Sequence, residues 1–311
     1  MAETYVVTGG AGFIGSHLVE RLLRDGQRVR VVDNLATGRR ANLAHLTGFD
    51  FYEASVTDRA ALADACAGAD YVLHQAALPS VPRSIDDPLT THDYNATGTL
   101  LVLQAARAAG VKRVVYAASS SAYGDIEGEY KDEAMPPNPL SPYAVAKLTG
   151  EYYCRVFTTV YGLETVALRY FNVFGPRQDP TSRYAAVIPL FITAMLDGQP
   201  PTIYGDGEQS RDFTYVDNVV AGNLLAAKAP AAAGHVLNLA TGSRITLLGL
   251  VDRLNALLGT AIAPQHAAPR PGDVRHSRAA IDRARALLGY TPPVDFASGL
   301  ARTLAWYQAG G

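Results

Sequence analysis

The stretch VVTGGAGFIGSHLVERLL, residues 6–23, decides the fold. A short β-type run passes into Gly9, Gly12 and Gly15, set three residues apart, and a helical pattern starts within the same turn. In a strand–turn–helix unit such glycines allow the tight turn, let the backbone approach a pyrophosphate and let the helix pack on the sheet. The helix start, with Phe13 and Ile14 in its first turn, then offers free N–H groups and the positive end of its dipole to an anion. A glycine-rich turn alone is ordinary loop chemistry. Here Asp33 ends a second strand, RVRVVD, eighteen residues after Gly15, where a carboxylate can accept both hydroxyls of a ribose. Asn34 follows where a 2′-phosphate would need Arg or Lys, so NAD is expected over NADP, although Arg39 and Arg40 lie near.

Outward from this turn, β-branched runs alternate with helical patterns: FDFYEA, a helix near 58–66, YVLHQA, a helix from about Asn95, then KRVVYAAS. This alternation, with near-continuous apolar strands, predicts an α/β fold with a Rossmann-type doubly wound parallel sheet covered on both faces. A helix carrying Tyr143 and Lys147 and a single strand over ETVALRYFNV come next. The Gly, Pro and charge of GPRQDPTSR then set a boundary near residue 175. The expected domains are an NAD-binding unit over 1–175 and a smaller C-terminal α/β unit over 176–311, with about 212–240 returning to the first. Helices are expected around 184–197, 246–258 and 279–287, with short strands at PTIYG and HVLNLA.

The 311 residues are 48% hydrophobic and 18% charged with mean hydropathy close to zero, a globular composition. Net charge is −2 and the basic residues are scattered, so there is no stripe to neutralise a nucleic acid backbone. Cys66 and Cys154 sit in helical, partly apolar surroundings that suit reduced thiols, and they lack metal-ligand spacing. No signal-peptide pattern opens the chain, and no window approaches the roughly 18 apolar residues of a membrane span. A soluble cytoplasmic protein with no membrane partner is expected.

Tyr143 and Lys147, four apart, share one helix face. A Tyr beside an ammonium and a positive nicotinamide ring would have its phenolate favoured and act as a base toward a sugar hydroxyl. The spacing is common by chance, but PLSPYAVAK gives a helix start that places the pair near the helix N-terminus. Ser119, Ser120 and Ser121 follow the strand RVVYAA, and open α/β sheets bind ligands at the carboxyl ends of strands. Polar capping of a strand end remains an equal account of two of these serines.

TGGAGFIG, HQAA, SSSAYG, the Tyr143–Lys147 pair, RYFNVFGP, SRDFTYVDN and RPGD together resemble the extended short-chain dehydrogenase/reductase superfamily, in its order and over the whole chain. Within it the chain is most similar to UDP-sugar 4-epimerases. AALPSVPRSIDDP, SSSAYGD, RYFNVFGPRQDP and YAAVIP look closest to the branch that accepts N-acetylated sugars, the UDP-N-acetylglucosamine 4-epimerases. The resemblance implies that Tyr143 removes the C4 hydroxyl proton while hydride leaves C4 for NAD. The 4-keto sugar then turns and takes the hydride on its other face. Lys147 would hold the nicotinamide ribose, and Ser119 would match the catalytic Ser or Thr, with Ser120 and Ser121 lining the pocket. Thr37, Gly38, Ser55, Val56, Gln75, Ala76, Ala77, Asn95 and Tyr170 would complete the cofactor side. Ser55 stands where many relatives carry an Asp toward the adenine. Asn172, Arg211 and Arg270 would hold the diphosphate, Asp273 the uridine ribose, and Val187 and Tyr204 would flank the base.

In that superfamily, dehydratases and decarboxylases carry an acid beside the catalytic Ser or Thr; here Ser120 and Ser121 stand there, which points to epimerisation. Ser277 matches the position whose bulk sets sugar size, and its small side chain leaves room for an N-acetyl group. UDP-glucose and UDP-galactose are expected as further substrates. A UDP-glucuronate 4-epimerase is the nearest alternative, through His276, Arg275 or Arg83. A catalytically silent NAD-binding sensor or scaffold is the alternative of another class, disfavoured by retention of Ser119, Tyr143 and Lys147. By analogy, helices around 94–109 and 142–160 would pair two copies into a homodimer.

Overall fold

A computed structural model describes residues 2–126, 128–180, 186–269 and 275–310. The strands are β1 (Thr4–Thr8), β2 (Arg28–Val32), β3 (Phe49–Tyr52), β4 (Tyr71–His74), β5 (Arg113–Ser119), β6 (Glu164–Tyr170), β7 (Val173–Phe174), β8 (Thr202–Tyr204), β9 (Ser210–Arg211), β10 (Thr214–Tyr215), β11 (Val236–Leu239), β12 (Ile245–Thr246) and β13 (Gln265–Ala267). The helices are α1 (Phe13–Arg24), α2 (Arg59–Cys66), α3 (Val81–Asp86), α4 (Pro88–His92), α5 (Gly98–Ala108), α6 (Pro142–Tyr161), α7 (Val187–Leu196), α8 (Val216–Lys228), α9 (Leu247–Leu258), α10 (Asp282–Leu288) and α11 (Phe296–Gln308).

Seven strands form one sheet in the order β11-β6-β5-β4-β1-β2-β3, all neighbours parallel. The order reverses between β1 and β4, and a crevice opens at such a switch point beyond the carboxyl ends of the strands. Strand periodicity splits β1 between two cores: Tyr5 and Val7 pack with α1 and α8, Val6 with α2 and α5. A third core gathers α7, α9 and α11 around Phe174, Phe213 and Phe296.

Two expectations change in detail. ETVALRYFNV is not one strand: β6 ends at Tyr170, Asn172 takes φ 32°, and β7 leaves the sheet to pair with β10. The helix expected from Asn95 opens as a π-helical turn over Asp93–Thr97 before α5. Cys66 and Cys154 are buried free thiols. No helix among the described residues is long and apolar enough to cross a membrane.

Candidate active site

A cavity of about 660 Å3 lies over the switch point. At its floor Gly9 has φ 68°, and a Cβ there would come within 2.7 Å of the Ala76 amide nitrogen. A Cβ on Gly15 would meet the Gly9 carbonyl at 2.1 Å. The backbone therefore closes on itself at the turn, and α1 begins at Phe13 after Gly12, which provides no side-chain cap. Phe13 and Ile14 line the cavity there, and uncapped amides at a helix start suit an anion. Asp33 is only 7% exposed, yet it lines the same cavity. Its carboxylate accepts from the Ala11 amide at 2.9 Å and the Leu35 amide at 2.8 Å. Burial raises its pKa and these two bonds oppose the rise. A carboxylate has about four acceptor positions, so about two are left for ribose hydroxyls. Arg39 is paired with Asp179 and Arg40 with Glu53, so both guanidiniums near Asp33 have carboxylate partners. These features fit a dinucleotide without a 2′-phosphate.

Asn34, Thr37, Val56, Gln75, Ala76, Ala77 and Tyr170 also line the cavity. Gln75, following β4, accepts from the Tyr170 hydroxyl at 3.0 Å and donates to Asn223 at 3.1 Å. Three expected residues stand behind the wall. Gly38 packs against the Asp33 carboxylate, and Ser55 bonds Thr57 at 2.8 Å. Asn95 holds Leu78 from both sides, accepting from its amide at 2.8 Å and donating to its carbonyl at 3.2 Å.

Ser119, Tyr143 and Lys147 meet on one wall. Ser119 closes β5, while α6 starts with Ser141 accepting from the Ala144 amide at 3.2 Å and Pro142 at its first turn. Gly150 lets this helix lie on β5: a Cβ there would sit 2.4 Å from the Tyr116 hydroxyl. Ser119 Oγ accepts from both the amide and the hydroxyl of Ser121, at 3.1 and 2.8 Å. Its own proton remains to be donated, and a hydrogen bond from Ser119 is what opposes the rise that burial imposes on the Tyr143 pKa. Lys147 donates to the Ala117 carbonyl at 2.8 Å, and burial lowers its pKa to about 8. In this geometry Ser119, rather than Lys147, favours the Tyr143 phenolate. Ser120 and Ser121 form the 3-10 turn after β5.

Among the residues expected to hold the substrate, Asn172 lines the cavity and its amide points to the Asp212 carbonyl at 3.4 Å. Arg211 on β9 donates to the Ser210 carbonyl at 2.9 Å. Ser277 donates its amide to the Ser210 carbonyl at 3.1 Å, Val187 opens α7, and Tyr204 is exposed at the end of β8. Arg270 and Asp273 lie outside the described residues. The sequence reading missed Arg177, Gln178 and Asp179, which line the cavity; GPRQDP served there as a boundary and as part of the family resemblance, with no site residue taken from it. It also missed Asp212, fully buried, whose carboxylate accepts from Thr241 N and Oγ1, Gly242 N and Ala279 N at 3.0, 2.7, 2.9 and 3.2 Å. The partners of Asp212 are 29 to 67 residues away, so no local pattern announces them.

Residues 5–240 match the model of the NAD dependent epimerase/dehydratase family. The chain belongs to this family. NAD is accordingly its cofactor. Among its relatives, UDP-glucose 4-epimerase of Mycolicibacterium smegmatis is 40% identical over 309 residues, spanning 97% of this chain and 98% of its own. UDP-N-acetylglucosamine 4-epimerase from Methanobrevibacter ruminantium, solved with UDP-N-acetylmuramic acid, is 40% identical with a TM-score of 0.95 and full coverage of both chains, 100% each. UDP-glucose 4-epimerase of Thermus thermophilus, solved with NAD, is 37% identical with a TM-score of 0.89, covering 99% of this chain and 100% of its own.

Proposed function

We propose that the protein inverts C4 of UDP-N-acetylglucosamine, giving UDP-N-acetylgalactosamine, and also interconverts UDP-glucose and UDP-galactose. A UDP-sugar 4-epimerase of the isomerase class using NAD follows from its family and full-length relatives; the choice of sugar is the proposal. The reaction is carried by one observation: Ser119, Tyr143 and Lys147 line one cavity, with serines at 120 and 121 where elimination would need an acid. The small Ser277 and the reaction named for the Methanobrevibacter relative favour the N-acetylated sugar.

In this reading the α1 N-terminus holds the pyrophosphate, and Asp33 accepts from the adenosine ribose. Thr37, Gly38, Ser55 and Val56 shape the adenosine side. Gln75, Ala76, Ala77, Asn95 and Tyr170 support the nicotinamide side. NAD supplies a hydride acceptor that gives the hydride back within one turnover. Tyr143 takes the proton from the C4 hydroxyl, and Ser119 donates to the same oxygen. An ammonium has three donors and Lys147 uses one on Ala117, so two remain for ribose hydroxyls. Asn172, Arg211 and Arg270 anchor the diphosphate, Asp273 the uridine ribose, and Val187 and Tyr204 the base, so that the sugar alone turns. This divides labour between an NAD-binding domain at 1–175, to which about 212–240 return as α8 and β11, and a sugar-nucleotide domain over the rest of 176–311.

UDP-glucuronate is a second reading, favoured by the positive charges of Arg244, Arg275 and Arg211 around the exposed His276, whose pKa is lowered by desolvation and by those charges. Against it, Arg275 already pairs with Asp206 at 2.8 Å. A silent sensor would have no need of all three residues on the catalytic wall. Val145, Tyr152, Val156 and Val160 expose one apolar stripe of α6 beside Ile85 and the 83% exposed Leu89, which supports a homodimer through these helices. Cytoplasm, where the buried thiols stay reduced, is the compartment assigned. Separate incubation with UDP-N-acetylglucosamine, UDP-glucose and UDP-glucuronate tests the reading. Turnover of the first two is expected; efficient turnover of the last alone would refute it.

A further inference from the structure

The buried face of α6 runs through Ala144, Lys147, Glu151 and Cys154, and two of these four positions carry charge. A buried charge costs several kcal/mol unless it is paired and hydrogen-bonded, so the acid needs an account as much as the lysine does. Arg169 on β6 grips Glu151 with both arms of its fork, Nε to Oε1 at 2.9 Å and Nη2 to Oε2 at 2.8 Å. The two side chains are 5% and 3% exposed. A closed, self-sufficient pair would leave nothing over, but Arg169 Nη1 is buried without a hydrogen-bond partner. The guanidinium instead rests 4.5 Å from the Tyr123 ring centroid, directly after the serine turn. On the other side, two of about four acceptor positions of Glu151 are taken by Arg169, and Lys147 precedes it by four residues on the same buried face of α6.

We propose that Glu151 is a positioning residue for catalysis: its carboxylate, fixed by Arg169, is the buried counter-charge that keeps Lys147 an ammonium on the Ala117 carbonyl. The ionisable groups that interact electrostatically with Glu151 or Lys147 are Cys154 on α6, Tyr116 on β5, the buried His74 on β4, and Arg169 on β6 with Tyr123 beyond it. Glu151 is the one carboxylate in this set. Burial drives the Lys147 pKa down to about 8, and Glu151 is the strongest opposing influence. Burial likewise raises Glu151, and Arg169 is the strongest influence holding it ionised. The arrangement is a relay of charge: Arg169 keeps Glu151 negative, and Glu151 keeps Lys147 positive. Without the acid, two cations would face one another in a dry interior.

The inference leans on the proposed function only through the role of Lys147, and the test separates the two. The holoenzyme is labelled with lysine 15Nζ, the Lys147 signal is assigned with Lys147→Arg, and its titration is followed beside the pH profile of kcat. Glu151→Gln is the direct variant. Because it strands Arg169, Glu151→Gln/Arg169→Met provides a partner that removes the whole pair, a replacement that is often neutral for stability. In whichever variant folds, the Lys147 midpoint is expected to fall by about one pH unit or more, with the alkaline limb of kcat moving the same way. KM for the UDP-sugar should stay near the parent value. A purely structural pair would give a double variant with parent midpoint and parent limb whatever its melting temperature, and that result would overturn the proposal. A midpoint that moves while turnover does not would uphold the counter-charge, overturn its part in catalysis and refute the role given to Lys147.

Discussion

At the cofactor end, five parallel strands deliver their carboxyl ends side by side: Gly9 after β1, Asp33 after β2, Gln75 after β4, and Ser119 and Tyr170 at the last positions of β5 and β6. At the end where the sugar nucleotide is proposed to bind, the chain arrives on two- and three-residue strands, β8, β9, β12 and β13, paired two by two. There the Asp212 carboxylate does what a sheet does elsewhere, tying Thr241, Gly242 and Ala279 to one point. The contrast teaches where each end is fragile. A continuous ladder spreads the cost of a change over many bonds, whereas a single buried acceptor concentrates it.

Four substitutions probe that contrast, in falling order of effect. Tyr143→Phe should lower kcat by about 10³-fold or more while purified protein keeps its NAD, because the ladder that binds the cofactor is untouched. Asp212→Ala leaves four donors without their acceptor; a loss of roughly 3–5 kcal/mol is expected by denaturant titration, with KM for the UDP-sugar raised well before NAD content falls. If NAD is lost first, the two ends are not separable in this way. Asp33→Asn should weaken NAD binding by about 10- to 100-fold in a fluorescence titration and leave the melting temperature of the NAD-free protein nearly unchanged. Ser277→Tyr should reduce turnover of UDP-N-acetylglucosamine relative to UDP-glucose by about tenfold, an effect of pocket volume alone. An equal fall for both sugars would remove Ser277 from the sugar pocket.

The same contrast explains what was legible in the sequence. Gly9, Asp33, Gln75 and Ser119 stand next to strands with strong apolar patterns, so their place at the sheet edge follows from the strand that carries them. Tyr143 and Lys147 follow from helix spacing and the Ser141–Pro142 start. What escaped depends on partners far along the chain. The left-handed Asn172 broke an otherwise continuous β pattern, the Lys147 ammonium turned to the carbonyl of Ala117, and Asn223 joined Gln75 across 148 residues. Asp212 and Glu151 look like surface acids in sequence, and only the fold shows both to be buried and hydrogen-bonded. Arg177, at φ 68°, belongs to the cavity wall although its Gly/Pro surroundings read as a linker.

The central claim is that Tyr143 handles only a hydroxyl proton, and that inversion at C4 involves no ionised C–H bond. Epimerisation of UDP-N-acetylglucosamine run to equilibrium in heavy water, followed by mass spectrometry and NMR of both sugars, tests it most directly. The account predicts no carbon-bound deuterium in either sugar; deuterium at any ring carbon would contradict it.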